Sequence, residues 1–180
     1  MRLRFLIFAL VLLPATAGAQ EMMWERYVFS DLEFAADFPA TPTVTEDIFT
    51  SSQKLEAPKS RAPARIHAVT MPTATYRVTV ANFSDRIHNG ANLLGEAVDW
   101  LHYSQKIRTD VSARIGSGTA AVFGRHITYD REDGARVTTG YFFNKGRLYV
   151  IEAIILPTSG DVNTPDAVRF QQSLELFPLR

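Results

Sequence analysis

Most of the chain has apolar residues at alternate positions, a pattern that predicts half-buried β-strands. The predicted strands cover residues 24–29, 34–38, 44–49, 65–71, 76–83, 135–143 and 147–156, with further strand character between 111 and 129. Asn144-Lys145-Gly146, between the last two strands, is typical of a tight hairpin because glycine tolerates the positive φ that such turns need. Gly116-Ser117-Gly118 predicts a turn or bulge inside the 111–129 stretch.

Two stretches have a helical period instead. The first predicts a helix over residues 93–106, capped by Asn92, with an apolar stripe formed by Leu94, Ala97, Val98 and Leu101. The second begins at Thr164-Pro165-Asp166, which combines a capping hydroxyl, a proline suited to the first helical position and a favourable acid, and we expect it to run to about residue 173. Strands joined by hairpins, with two helices among them, predict an α+β domain with an antiparallel sheet.

The strand predicted over 148–156 is apolar on both faces, and Glu152 alone interrupts it. A strand of this kind is normally central in its sheet and covered on each side. Because the two predicted helices have apolar stripes that can cover it, the pattern predicts a three-layer α/β/α sandwich with a central antiparallel sheet. A partner chain that covers one face is the alternative.

The first 19 residues are typical of a secretory signal peptide cleaved after Ala19. Arg2 and Arg4 precede a nine-residue apolar run, which is too short for a bilayer-spanning helix of about 20 residues. We therefore expect a mature domain over 20–180, periplasmic or secreted, with no stable membrane anchor after cleavage. That domain keeps 17 basic and 19 acidic side chains, so its charge offers nothing for nucleic acid binding. The absence of cysteine excludes disulfides and thiol chemistry.

Several short strings resemble the PsbP-like superfamily of small exported bacterial proteins, named for the extrinsic subunit of photosystem II. They are Trp24-x-x-Tyr27, the Phe34-Ala35-Ala36-Asp37-Phe38-Pro39 segment, the strand at 76–80 and the helix end at 169–174. Glu33 stands where members usually have glycine. The resemblance implies an antiparallel sheet between helices and a role as an adaptor, assembly factor or complex subunit. It implies neither catalytic residues nor a cofactor.

Candidate chemistry is sparse. The four histidines lack metal-ligand spacing, and the glycine-rich turn lacks the sequence of a phosphate-binding loop, so we expect no metal or cofactor. Glu152 in a central strand needs a cationic partner, and Arg125, Arg136 or Arg147 could reach it. Alternatively, Glu152, Arg125, Tyr141 and Tyr149 could line a pocket for a small molecule or a hydrolytic reaction.

The segment 50–64 has no hydrophobic period and is predicted to be a long flexible loop. It is locally basic, and its cations, with the one just after it, are candidates for docking a protein partner: Lys54, Lys59, Arg61 and Arg65. The leading hypothesis is a non-enzymatic exported domain that binds a periplasmic protein through this loop or an exposed sheet edge. The competing hypothesis is the pocket around Glu152. The sequence leaves the identity of a partner, the oligomeric state and the source organism open.

Overall fold

The computed structural model describes residues 23–51, 60–83 and 90–177. The proposed signal peptide and cleavage site lie outside these residues. The chain forms ten strands and two α-helices within them: β1 (Glu25–Phe29), β2 (Phe34–Phe38), β3 (Thr43–Thr50), β4 (Arg61–Thr70), β5 (Ala74–Asn82), α1 (Gly90–Ser104), β6 (Lys106–Ile115), β7 (Val122–Asp130), β8 (Arg136–Asn144), β9 (Arg147–Ile155), α2 (Pro165–Gln172) and β10 (Glu175–Leu176). The prediction of an α+β fold is confirmed, whereas the short strand β10 was not predicted.

The strands form two antiparallel sheets. The larger sheet has seven strands in the order β3-β4-β5-β9-β8-β7-β6, and the smaller has three in the order β1-β2-β10. β9 lies at the centre of the larger sheet, which confirms its predicted position. The hairpin into β9 is also as predicted, with positive φ at Lys145 (48°) and Gly146 (80°).

Alternate residues of β9 belong to two different buried clusters, as its pattern predicted. Tyr149, Ile151, Ala153 and Ile155 pack with Phe170 of α2 and with Phe34 and Phe38 of the smaller sheet. Leu148 and Val150 pack instead with the buried face of α1, which consists of Leu93, Ala97, Val98 and Leu101. α2 therefore shares its cluster with a second sheet, which the sequence pattern did not indicate.

Helix α1 begins at Gly90, so Asn92 lies inside the helix rather than at its cap. The helix ends at Ser104, and Lys106, which was assigned to it, begins β6. α2 begins as predicted, because the side chain of Thr164 accepts a hydrogen bond from the backbone N–H of Asp166.

The flexible loop predicted over 50–64 is wrong at both ends. Thr50 belongs to β3 and residues 61–64 belong to β4, where Ala62 and Ala64 are buried. Pro63 obscured this strand in the sequence, since proline cannot donate to a sheet. It is tolerated because β5 pairs with β4 only from Ala64 onward, which leaves β3 as the sole neighbour of Pro63 in the described sheet. Ser51 and Ser60 close the base of this hairpin with a 3.0 Å backbone hydrogen bond.

Glu33 has a backbone conformation that favours glycine. Its φ is 57°, in the left-handed region that favours glycine, at the end of the 3₁₀ turn Ser30–Leu32. The turn leads into β2, so the chain reverses direction here.

Candidate functional site

Glu152 is buried in an ion pair. It is 6% exposed, and the guanidinium Nε of Arg77 donates a 2.5 Å hydrogen bond to its Oε2. Arg77 lies directly opposite Glu152 because β5 pairs with β9. The prediction of an arginine partner was right in kind, but none of the three arginines named is that partner. The sequence could not indicate the pairing of two strands that place these residues 75 positions apart.

The three predicted arginines bind other carboxylates. Arg125 makes two contacts with Asp110 of β6, at 2.8 and 2.6 Å. Arg136 binds Asp130 at 2.9 Å, and Arg147 lies 3.5 Å from a carboxylate oxygen of Glu33. Each of these cations therefore already has an acidic partner within the domain.

Two tyrosines share the environment of Glu152. Burial raises the pKa of Tyr129 and Tyr141, and the negative charge of Glu152 raises both further. Both hydroxyls therefore stay protonated at neutral pH, and neither can act as a base. Glu152 raises the pKa of the Arg77 guanidinium, which keeps this guanidinium charged.

Tyr149 does not join this group. It alternates with Val150 on β9 and faces the opposite side of the sheet, where its hydroxyl donates a 3.0 Å hydrogen bond to the carbonyl of Leu32. Glu152, Arg125, Tyr141 and Tyr149 therefore do not line one pocket. The contacts of Glu152 are those of a buried structural ion pair.

A cleft of about 690 Å³ among the described residues lies elsewhere. It opens where β3, β4 and β5 pass the turn that precedes β2, and charged side chains of both signs line it: Asp31, Glu46, Arg65 and Arg147. Arg65 bridges two of its walls, with its guanidinium 2.5 Å from Asp31 and 3.8 Å from Glu46. No local sequence signal indicates this cleft, because its walls come from five separated segments.

The structure describes two of the four predicted docking cations. Lys54 and Lys59 lie outside the described residues. Arg61 is exposed at the start of β4. Arg65 is committed to its acidic neighbours in the cleft, so its charge is largely balanced before any partner arrives.

Strand β3 forms the rim of this cleft and one margin of the larger sheet. Six of its eight residues are exposed, and its only partner in the described sheet is β4. Val44 is 53% exposed and Ile48 48% exposed, and between them the side chain of Glu46 is 83% exposed. Since side chains alternate along a strand, these three residues share one face.

Two of the histidines, His67 and His126, lie against aromatic rings. His67 is 3% exposed and lies 4.1 Å from the ring of Phe29 by centroid distance, and burial lowers its pKa. Burial lowers the pKa of His126 as well. The part of the chain that the structure describes contains no group of three or more metal-ligating side chains.

No protein-family model and no curated protein matches the chain. Solved structures resemble its fold. The solution structure of the cyanobacterial PsbP protein CyanoP from Synechocystis sp. PCC 6803 aligns with 92% of this chain and 99% of its own, at 11% identity and a TM-score of 0.52. The crystal structure of PA94, a Pseudomonas aeruginosa protein of unknown function, aligns with 86% of this chain and 98% of its own, at 11% identity and a TM-score of 0.46.

The chain therefore has a PsbP-like fold, as the sequence resemblance implied. At this identity the likeness concerns the fold alone. Among the described residues, neither helix has the length and apolar character needed to cross a bilayer.

Proposed function

We propose that the mature chain is an exported, non-enzymatic domain that binds another protein along the margin of its larger sheet at β3. The observation that carries this proposal is the eight-residue strand β3, exposed over most of its length and adjacent to the 690 Å³ cleft. An unpaired strand edge presents backbone N–H and C=O groups that an extended segment of a partner can pair with.

The side chains of β3 define the kind of segment that fits. Val44 and Ile48 offer apolar contacts on either side of the Glu46 carboxylate. A partner strand whose matching face has a basic residue between two apolar residues would complement this pattern. Asp31, in the cleft beside β3, is a second acid, and because the two carboxylates share one cation, Arg65, they keep a net negative charge for such a residue.

The alternative of a reactive pocket around Glu152 lacks comparable support. Its carboxylate is buried against Arg77, and the neighbouring tyrosines remain protonated. Because Glu152 and Arg77 already bind each other, this pair has little capacity left to bind a substrate.

The proposal includes the arrangement and the location of the domain. We infer that the larger sheet is the middle layer of three, with α1 on one face and α2 together with the smaller sheet on the other. The two buried clusters on opposite sides of β9 support this layering. We also propose cleavage after Ala19 and a periplasmic or secreted location. Mass measurement of the intact exported protein tests the cleavage, since any other N-terminus gives a different mass.

Site-specific crosslinking tests the binding surface. A photoreactive amino acid is placed at Val44 in one variant and at Val168 of α2 in another, because both side chains are 53% exposed in the native protein. We expect illumination of the exporting cells to give a discrete adduct from position 44 and none of that mass from position 168. Equal adducts at the two positions, or none at position 44, would show that β3 is not the binding margin.

A further inference from the structure

The two margins of the larger sheet carry opposite charge. The strand order places β3 at one margin and β6 at the other. β3 contains Glu46 and Asp47 and no basic residue, a net charge of −2. Arg65 of β4 lies 3.8 Å from Glu46 but 2.5 Å from Asp31, so this neighbouring pair adds one charge of each sign. Arg61 of β4 lies opposite Thr50 at the end of the strand, and the margin remains negative when it is included. β6 contains Lys106, Arg108 and Arg114 against Asp110, a net charge of +2.

Contacts with the neighbouring strand do not remove the charge of β6. Arg108 pairs with Asp130 of β7 at 2.5 Å, while Asp110 pairs with Arg125 of β7 at 2.6 Å. Asp130 brings a negative charge to the margin and Arg125 brings a positive charge, so these two neighbours cancel. Asp130 is also shared with Arg136, so it does not lower the positive charge of β6 further. Lys106 and Arg114, at the two ends of β6, are both exposed.

The margins also match in length and in apolar surface. β3 has eight residues and β6 has ten. Val44 and Ile48 are half-exposed on β3, and Val111 is 55% exposed near the middle of β6. Each margin therefore combines charge with exposed aliphatic side chains.

We propose that β3 of one molecule pairs with β6 of a second copy of this chain, so that copies join head to tail through a continuous sheet. This inference deepens the proposed function, since it names the partner of the β3 margin. Pairing of β3 with β3 would bring four acidic side chains together, and pairing of β6 with β6 would oppose two positive margins. The charges therefore disfavour a symmetric dimer and favour the head-to-tail contact, which does not close on itself.

The contact is weak and depends on salt. Stable interfaces bury roughly 1,200 Å² or more, and a contact made by one strand of each molecule is small, so the attraction between the margins has to contribute. Exposed charges act over a Debye length of about 30 Å at 0.01 M ionic strength but only about 3 Å at 1 M. Association is therefore expected to grow with protein concentration at low salt and to disappear at high salt.

Light scattering and sedimentation velocity on charge-reversed variants test the inference. In the first variant, Glu46→Lys and Asp47→Lys make both margins positive. In the second, Lys106→Glu and Arg114→Glu make both margins negative. We expect the wild-type protein to associate at low salt, each variant alone to be monomeric, and an equimolar mixture of the two variants to associate again. A control with Asp99→Lys and Glu132→Lys, which changes two exposed acids that lie on neither β3 nor β6, should associate like the wild type.

The outcomes separate this inference from the proposed function. A wild-type protein that stays monomeric at low salt over the full concentration range overturns the head-to-tail contact, and that measurement needs no variant to fold. Association that persists in either variant alone places the contact on another surface and also overturns it. A crosslinked adduct at position 44 with the mass of a different protein would keep the proposed function while excluding a second copy as the partner.

Discussion

Replacing Arg77 with leucine should destabilise the domain by leaving the Glu152 carboxylate buried without its cation. Removing one partner from a fully buried ion pair costs about 3–5 kcal/mol, whereas exposed pairs contribute about 0–1 kcal/mol. The side chain of Glu152 is 8% exposed but that of Arg77 is 39% exposed, so water screens the pair from one side. We therefore expect Arg77→Leu to lower the free energy of unfolding by about 2 kcal/mol, between these limits.

The measurement is urea unfolding at pH 7 with a parallel thermal scan. A loss of about 2 kcal/mol corresponds to a fall in Tm of about 4–8 °C for a domain of this size. The double variant Arg77→Leu with Glu152→Leu is the matched control, because replacing both members of a buried pair with apolar residues is often neutral or stabilising. It should recover most of the stability that Arg77→Leu loses.

Two results would refute this reasoning. If Arg77→Leu lost less than about 0.5 kcal/mol, which is the usual range for a surface substitution, Glu152 would not depend on its cation. If the double variant were no more stable than Arg77→Leu, the cost would come from packing around Arg77 and not from an uncompensated carboxylate.

Two further predictions concern close packing and pH. A Cβ at Gly124 of β7 would lie 2.0 Å from the backbone oxygen of Tyr141, so Gly124→Ala should lower the free energy of unfolding in urea by about 1–3 kcal/mol. In the control Gly95→Ala, the new Cβ in α1 meets no atom within 4 Å, and the variant should gain about 0.5–1 kcal/mol. Equal effects of the two substitutions would contradict the close spacing of β7 and β8. Burial lowers the pKa of His67 more than the nearby Asp31 raises it, so the folded state prefers the neutral ring. The contribution of His67 to stability is therefore fully present above its pKa of about 6.5 in the unfolded chain, and it is lost as the pH falls below that value toward the lower pKa of the folded state. His67→Phe should therefore lose less stability than the wild type between pH 7 and pH 5, and parallel pH curves for the two proteins would show that His67 is not responsible.

The sequence by itself determined most of the local structure. The two-residue period located six strands, β1, β2, β3, β5, β8 and β9, to within two residues at each end. It began β4 four residues late and indicated β6 and β7 only as one stretch. The hairpin at residues 144–146 followed from turn chemistry, and Thr164 capped α2 as its residue type indicates. These features depend on neighbours along the chain, which the sequence displays directly. The two-sided apolar pattern of β9 likewise determined that it lies inside its sheet.

Only the tertiary structure decided which residues meet. Strand order and register determine three features of the site: the partner of Glu152, the side of the sheet that Tyr149 faces, and the cleft beside β3. The start of β4, which Pro63 obscured, could likewise not be predicted from the sequence, because the sheet tolerates Pro63 only where β5 does not extend beside β4. The sequence contains the opposite charges of β3 and β6, but only the order of seven strands makes them the two margins of one sheet. Contacts between distant segments are set by the packing of the whole domain, and a local pattern contains no record of them.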